Sequence, residues 1–247
     1  MTIDFSCPCC DSTNLLHLPA YLSKFVVWRT TGCKPDANQQ TLLIKCESCN
    51  YYFCSKRFTE NEILSLYSGY RNEKYNNMRS ECEPNYKKEL YSEEYIKNRK
   101  QFINNLIFKH AHELDSILDY GGDDGRYIPN VSTKYVYDLS DTIPIDNVKK
   151  FDPASSDKFD LVMNCQVLEH VSDVNNLLEI LKSYTKKYLY IEVPAYREPP
   201  PINVVIGEHV NFFRKQSLHA LLNKHNINIV DTAIDYELKV LAVLGKI

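Results

Sequence analysis

The alternation of strand and helix patterns in the C-terminal half is the feature that most restricts the fold. From Ser116 onward, short apolar runs typical of buried strands alternate with segments that have the periodicity of amphipathic helices. The strand candidates are residues 117–120, 135–138, 159–164, 188–193, 227–232 and 239–244, and the clearest helices are residues 174–184 and 215–225. Such alternation predicts an α/β fold with a largely parallel sheet covered on both faces. Ligands of these sheets bind beyond the carboxyl ends of the strands.

A loop rich in glycine follows the first of these strands, within I-L-D-Y-G-G-D-D-G-R. It contains three glycines, Gly121, Gly122 and Gly125. We expect a helix from Arg126, so the loop connects a strand to a helix, as cofactor-binding loops do. The dinucleotide spacing G-x-G-x-x-G is absent, and Asp123 stands where a middle glycine would belong.

Two further signals support a nucleoside site at the same edge of the sheet. Asp138 ends the second strand, where a carboxylate can accept hydrogen bonds from ribose hydroxyls. The run F-D-L-V-M-N-C-Q-V-L-E-H-V carries a third strand directly into the acid–histidine pair Glu169 and His170. Together the three signals are more specific than any one of them.

Cysteines are concentrated near the N-terminus. Six of nine lie in two clusters, C-P-C-C and C-E-S-C-N-Y-Y-F-C. These clusters contain two C-x-x-C pairs, Cys7 with Cys10 and Cys46 with Cys49, which can supply the four thiolates of a tetrahedral Zn²⁺ site. A site closed by four sulfurs leaves no position for a substrate, so we predict structural zinc. Cys9 is the alternative ligand, and buried or redox thiols are the alternative interpretation.

Composition excludes several classes of partner. The formal net charge is −3, with 29 basic and 32 acidic side chains spread along the chain, which argues against a nucleic-acid partner. No run of about 18 apolar residues and no charged, apolar leader is present, so we expect no membrane span and a cytoplasmic protein.

The patterns predict three parts. Residues 1–57 form a small domain resembling a zinc ribbon, in which residues 18–29 and 41–46 are expected strands. Residues 58–95 form a helical connector, and residues 96–247 form the cofactor-binding domain. A further amphipathic helix is predicted over residues 92–112.

The combined motifs resemble class I S-adenosylmethionine-dependent methyltransferases. The resemblance is greatest to the small-molecule branch with an N-terminal four-cysteine zinc motif, which includes deoxysugar methyltransferases, and it extends to E-V-P followed by E-H-V-N-F-F. It implies a Rossmann-like, seven-stranded, mostly parallel sheet whose last strand is antiparallel. Residues 148–152 are the best candidate for the seventh strand.

The resemblance also implies which residues bind S-adenosylmethionine: Asp119, Gly121, Gly122, Asp123, Gly125, Asp138, Asp152 and Gln166. Asp138 is expected to bind the ribose and Asp152 the adenine amino group. Asp123 either accepts a hydrogen bond from the methionine ammonium or turns to solvent, and the second alternative is favoured.

Proton transfer from an acceptor hydroxyl requires a base, and histidine titrates near neutrality. The predicted catalytic residues are His209, His170 and the glutamates that precede them, Glu208 and Glu169. The alternative for Glu169 and His170 is that they only fix the start of the following helix. Sugar C-methyltransferases that share the E-H element, here Glu208 and His209, have a tyrosine three residues before the histidine. Ile206 stands there in this chain, which disfavours carbon methylation.

A different set of methyltransferases holds Mg²⁺ through E-x-x-E-H and a later histidine. The matching residues here are Gln166, Glu169, His170 and His209. An uncharged amide is a weaker ligand for a hard cation than a carboxylate. A catalytic metal is therefore an alternative, and it is not the favoured one.

The favoured function is O-methylation of a sugar, either free or nucleotide-linked, in the biosynthesis of surface polysaccharide or a related glycan. One alternative is N-methylation of an amino sugar or another small molecule. The other is a noncatalytic module, in which the zinc ribbon binds a partner and Asp123 marks a degenerate cofactor fold.

Overall fold

The computed structural model describes residues 6–83, 86, 92–140 and 142–247. The N-terminal elements are β1 (Leu15–Leu22), α1 (Lys24–Thr31), β2 (Gln39–Cys46), β3 (Tyr52–Cys54), α2 (Glu60–Tyr67), α3 (Glu73–Cys82) and α4 (Glu93–Phe108). The remaining elements are β4 (Ser116–Tyr120), β5 (Thr133–Tyr137), β6 (Lys149–Lys150), β7 (Phe159–Cys165), α5 (Val174–Tyr184), β8 (Thr185–Pro194), β9 (Val205–Ile206), β10 (Asn211–Phe212), α6 (Lys215–Lys224), β11 (Asn228–Asp235) and β12 (Val240–Lys246).

A seven-stranded sheet forms the centre of the C-terminal part, in the order β11-β12-β8-β7-β4-β5-β6. Strands β6, β5, β4, β7 and β8 are parallel to one another, and the last strand, β12, is antiparallel to both of its neighbours. The predicted fold class is confirmed. The short β6 lies within the predicted residues 148–152 and pairs with β5.

Helices cover both faces of this sheet. On one face, α5 and α6 pack against β7 and β8 in a core that includes Leu178, Leu221 and Ile191. On the other face, α4 contributes Ile103 and Ile107. All seven residues of β7 are buried, as expected for a central parallel strand with helices on both sides.

The helix predicted from Arg126 is wrong. Residues 126–132 form turns, although β4 and β5 are adjacent parallel strands. The Asp124 carboxylate accepts hydrogen bonds from the backbone N–H and the side chain of Arg126, which fixes a turn. Pro129 follows, and a proline at that point has no N–H to donate to a helix and would clash with the carbonyl four residues earlier.

The prediction of a strand across residues 18–29 is correct only for its first part, because the chain turns into α1 after Leu22. The Ser23 side chain accepts a hydrogen bond from the backbone of Val26, and Gly32 ends the helix with a φ of 75°. These caps stabilise a helix despite the β-branched valines inside it. The predicted helix over residues 92–112 is confirmed, but it ends at Phe108.

A second, five-stranded sheet has the order β10-β3-β2-β1-β9. Strands β1, β2 and β3 come from the cysteine-rich N-terminal part. Strands β9 and β10 come from the segment between β8 and α6 of the C-terminal part, so this segment completes the small sheet. The three-part division of the chain therefore stays a prediction.

The connector contributes two short helices, α2 and α3, which pack against α1. Residues 84–85 and 87–91 of the predicted connector lie outside the described residues. Across the ranges given above, no helix combines the length and the apolar character that a membrane span needs.

Candidate active site

The glycine loop follows β4 at the carboxyl edge of the large sheet. Gly121 and Gly125 have φ values of 85° and 77°, which favour glycine. A Cβ on Gly121 would lie 2.4 Å from Cγ2 of Val167, and a Cβ on Gly122 would lie 2.3 Å from Cγ of Asp119. The loop therefore packs too closely against its neighbours to accept side chains at these glycines.

Asp123 also adopts a positive φ, 55°, which aspartate tolerates better than most residues. Its side chain is exposed, and its backbone N–H donates a hydrogen bond of 2.8 Å to Oδ2 of Asp138. The other oxygen of Asp138 accepts from the Ser140 backbone N–H. The loop thus fixes Asp138 beside it, where the sequence predicts ribose binding.

Asp119 lies beneath the loop and is 1% exposed. Neither of its carboxylate oxygens has a hydrogen-bond partner in the part of the chain that the structure describes. Burial raises the pKa of Asp119 to about 7, and the Arg99 guanidinium opposes this rise. A buried carboxyl without partners is unfavourable in the free protein, so it is suited to receive a donor from a ligand.

A buried ion pair, which was not predicted from the sequence, lies next to Asp119. The Arg99 guanidinium on α4 donates to Oε1 of Glu192 on β8 at 2.5 Å, and both side chains are buried. The same oxygen accepts a hydrogen bond of 3.1 Å from the side chain of Gln166. The signals were present: Arg99 lies on the apolar face of its helix, and Glu192 interrupts the apolar run Y-L-Y-I-E-V-P.

The other two predicted cofactor residues also follow parallel strands. Gln166 comes directly after β7 and has a φ of 58°. Asp152 comes after β6, is exposed, and accepts a hydrogen bond from the backbone of Ala154. Every predicted cofactor residue therefore lies at the carboxyl edge of the sheet, as doubly wound folds place their ligands.

Three of the four predicted catalytic residues converge. One ligand-capable atom from each of Glu169, His170 and His209 lies within 4.8 Å of the others, and the two imidazole rings are 4.6 Å apart in an edge-to-face arrangement. We call these three residues the Glu–His–His cluster. Val167, which packs on Gly121, precedes Glu169 by two residues, so the cluster lies close to the glycine loop.

The environment of the cluster is mostly buried. Glu169 is 1% exposed, its oxygens have no hydrogen-bond partner among the described residues, and burial raises its pKa to about 8. Burial lowers the pKa of His170 to about 4. Both groups are therefore neutral over a range of pH in which their exposed counterparts carry charge.

Tyrosines hold both imidazoles. The Tyr67 hydroxyl of α2 lies 2.7 Å from Nδ1 of His170, and the Tyr196 hydroxyl lies 3.0 Å from Nδ1 of His209. Glu208 is not part of the cluster, although it was predicted from the sequence to be a catalytic residue. Its carboxylate accepts hydrogen bonds from Tyr75 and Arg79 on α3 instead.

The donor set of the cluster, two imidazoles and a carboxylate, could hold a divalent cation. Gln166, the fourth residue of the metal-binding alternative, is bonded to Glu192 instead. The structure thus assembles three of the four matching residues.

The cysteine cluster brings Cys7, Cys10, Cys46 and Cys49 together, with all four sulfurs within 4.8 Å of one another. The Sγ atoms of Cys7 and Cys49 are 3.6 Å apart, as are those of Cys10 and Cys46. Tetrahedral Zn²⁺ with bonds of about 2.3 Å requires sulfur separations of about 3.8 Å. The arrangement fits zinc, and Cys9, the alternative ligand, is buried outside this group of four.

Comparison with known proteins decides the family. A family model described as a methyltransferase domain matches residues 86–232, more than half of the chain. The chain belongs to this methyltransferase family. The enzyme class expected from the sequence, an S-adenosylmethionine-dependent methyltransferase, is confirmed. The region matched by the family model ends within β11.

Two solved methyltransferase structures are similar to this chain at low identity. Magnesium protoporphyrin IX methyltransferase from Synechocystis PCC 6803, with bound SAH, is 13% identical, with 65% of this chain and 90% of that chain covered and a TM-score of 0.46. An S-adenosylmethionine-dependent methyltransferase from Clostridium acetobutylicum ATCC 824 is 13% identical, with coverages of 70% and 98% and a TM-score of 0.45. No curated protein sequence matches the chain.

Proposed function

We propose that this methyltransferase transfers the methyl group of S-adenosylmethionine to a hydroxyl of a sugar, free or nucleotide-linked, in glycan biosynthesis. The observation that carries the proposal is the Glu–His–His cluster beside the glycine loop, because it supplies a base next to the expected cofactor. The choice of a sugar rests on the resemblance of the motifs. A cytoplasmic location and a small-molecule acceptor remain predictions.

The cofactor site uses the chain's own backbone and acids. Gly121, Gly122 and Gly125 let the cofactor approach the main chain closely. Asp138, held by the backbone of Asp123, has remaining lone pairs for the ribose hydroxyls. Asp119 supplies an unsatisfied carboxyl below the loop, and the expected adenine contact is Asp152. S-adenosylmethionine supplies an activated methyl group when it is bound.

We assign the proton transfer to His209. A hydroxyl must lose its proton as the carbon–oxygen bond forms, and an imidazole with one unprotonated nitrogen can accept it. If Nδ1 of His209 donates to the Tyr196 oxygen, Nε2 is the basic nitrogen. His170 is the second candidate, but its lowered pKa makes it a weaker base.

Zinc completes the proposal as a structural ion. Cys7, Cys10, Cys46 and Cys49 would hold it in a closed site that leaves no position for a substrate. Its chemistry there is only to bind thiolates and to stabilise the small sheet.

The first test is cofactor binding by calorimetry. S-adenosylmethionine should bind the purified enzyme, and Asp138→Ala should weaken binding by about 10- to 150-fold because charged hydrogen bonds are lost. Asp146→Ala, which changes an exposed acid of the following loop, is the matched control and should bind normally. Absence of binding to the wild type would refute the proposed function.

The second test is methyl transfer to a set of nucleotide-linked sugars and amino sugars, measured as demethylated cofactor. On a hydroxyl acceptor, His209→Ala should lower turnover by about 10²- to 10⁴-fold and leave cofactor affinity unchanged. His112→Ala, at an exposed histidine, should behave as wild type.

N-methylation of an amino sugar is the second candidate. The Glu169 carboxyl favours it, since it has no hydrogen-bond partner among the described residues and could accept a hydrogen bond from an amine. Near-normal turnover of both His209→Ala and His170→Ala on an amine would support this candidate. Binding of a partner through the cysteine-rich part, without methyl transfer to any acceptor, would support the noncatalytic alternative.

A further inference from the structure

Asn211 is fully buried at the start of β10 and uses every hydrogen-bonding position of its amide. Its Nδ2 donates to the carbonyls of Leu168 and Val171, each at 2.7 Å. Its Oδ1 accepts from the Tyr51 hydroxyl at 2.7 Å and from the Arg57 guanidinium at 2.9 Å. Two carbonyls can only accept hydrogen bonds, so these partners fix the orientation of the amide.

The backbone strengthens the same connection. The N–H groups of Val210 and Asn211 both donate to the carbonyl of Glu169, at 2.8 and 3.0 Å. Residues 166–173, which carry two members of the Glu–His–His cluster, form neither helix nor strand. Asn211 and its neighbour thus hold the carbonyls on both sides of His170.

Residues 166–173 must be held in place because burying the Glu169 side chain costs free energy. The Glu169 carboxyl is buried and has no hydrogen-bond partner within residues 6–83, 86, 92–140 and 142–247. Turning the carboxyl out to water would relieve that cost. Fixed main-chain carbonyls oppose such a movement.

The Oδ1 atom of Asn211 is connected to the cysteine cluster through Tyr51. Tyr51 is fully buried and follows the second cysteine pair, and its carbonyl accepts a hydrogen bond of 2.8 Å from the Cys46 backbone. Its ring packs against Phe53 and Phe213. The turn made by the cysteines therefore determines where the Tyr51 hydroxyl lies.

We infer that Asn211 is a positioning residue: it holds Glu169 and His170 in place for methyl transfer and makes their geometry depend on the cysteine-rich sheet. The inference rests on the proposed roles of these two residues. The small sheet would then affect catalysis, whereas its proposed zinc ion alone would affect only stability.

The test compares two variants with a matched control. Asn211→Asp places an oxygen against two carbonyls, and Tyr51→Phe removes only the hydroxyl that meets Asn211. Tyr188→Phe removes a hydroxyl bonded to the His110 carbonyl near the other end of β8, far along the strand from the site. The primary measurement is the NMR signal of the His170 ring, identified by its loss in His170→Gln. It requires neither cofactor nor acceptor.

We expect the His170 signal to shift in both variants and to keep its wild-type position in Tyr188→Phe. Cofactor affinity should stay unchanged, and kcat on the acceptor should fall by about tenfold or more, since small displacements of reacting groups are costly. A wild-type His170 signal in folded Asn211→Asp overturns the inference. If that variant does not fold, a wild-type signal in Tyr51→Phe overturns it.

The outcome is separable from that of the proposed function. A shifted His170 signal with no methyl transfer by the wild type would refute the function and preserve the anchoring by Asn211. A lower melting temperature with normal His170 signal and normal kcat would leave Asn211 a purely structural residue and overturn the inference.

Discussion

Replacing the buried acid Asp119 by asparagine should stabilise the cofactor-free enzyme at alkaline pH. Burial raises the pKa of Asp119 from 3.8 to about 7. At about 1.4 kcal/mol per pKa unit, keeping this carboxyl ionised in the folded protein costs about 4 kcal/mol above pH 7. Asparagine has no charge to desolvate, although its unpartnered amide costs about 1–3 kcal/mol of its own.

The sign of the pH dependence follows from the raised pKa. A carboxyl whose pKa is higher in the folded state contributes most stability below its unfolded pKa and loses that contribution as pH rises through about 7. The advantage of Asp119→Asn over the wild type should therefore grow by about 3 kcal/mol between about pH 5 and pH 8.5. The constant cost of the amide cancels in this difference.

Urea unfolding of both proteins at the two pH values measures the effect, and Asp124→Asn is the control from the same loop. Burial raises the pKa of Asp124, but the hydrogen bonds from Arg126 lower it by a larger amount, so the net shift is downward. Its stabilisation is present above the unfolded pKa and is lost only as pH falls through the folded value, so Asp124→Asn should destabilise at both pH values. A pH-independent difference between Asp119→Asn and the wild type would refute the reasoning.

Three other substitutions test separate parts of the structure. Cys46→Ser should lower the zinc content, measured by elemental analysis, from one ion per chain to a small fraction and should impair folding. Gly121→Ala should destabilise by about 1–3 kcal/mol and weaken cofactor binding, because its Cβ would meet Val167 at a positive φ. Glu192→Gln should cost about 3–5 kcal/mol in urea unfolding, since it leaves Arg99 buried without its counter-charge.

Each of these has a control in the chain. Cys33→Ser changes an exposed cysteine and should retain zinc. Gly32→Ala has a similar φ but open space around its Cβ, so it should cost only the backbone strain. Glu81→Gln removes an exposed ion pair with Lys34 and should change stability by less than about 1 kcal/mol. Equal effects in a variant and its control would contradict the corresponding explanation.

Periodicity predicted the large sheet well because its central strands are buried on both faces. Mostly apolar runs, such as that of β7, indicate such strands regardless of their neighbours, and even the short β6 could be inferred by completing the topology. The two wrong assignments of secondary structure have local causes in helix capping and turn formation. A serine and a glycine cap converted the valine-rich residues 24–31 into a helix, and Pro129 with the Asp124–Arg126 turn prevented one.

Candidate site residues could be selected from the sequence where they follow a strand, because strand ends converge at one edge of the sheet. Asp138 and Glu169 are of this kind. Hydrogen-bond partners that come from distant elements were not predicted, because no local sequence pattern indicates a contact between residues far apart in the chain. Tyr67, which meets His170 from α2, and Tyr51, which meets Asn211 from the N-terminal part, are examples.

The pairing of two strands from the C-terminal part with the N-terminal strands of the small sheet limits how this chain can be recombined with others. Strand β9 pairs with β1, and β10 pairs with β3, although both lie between β8 and α6. A chimera that joins residues 96–247 to a foreign N-terminal module would inherit two strand edges shaped for the original one. Exchange of the acceptor-binding segment and of the cysteine-rich part should therefore succeed only when both come from the same parent.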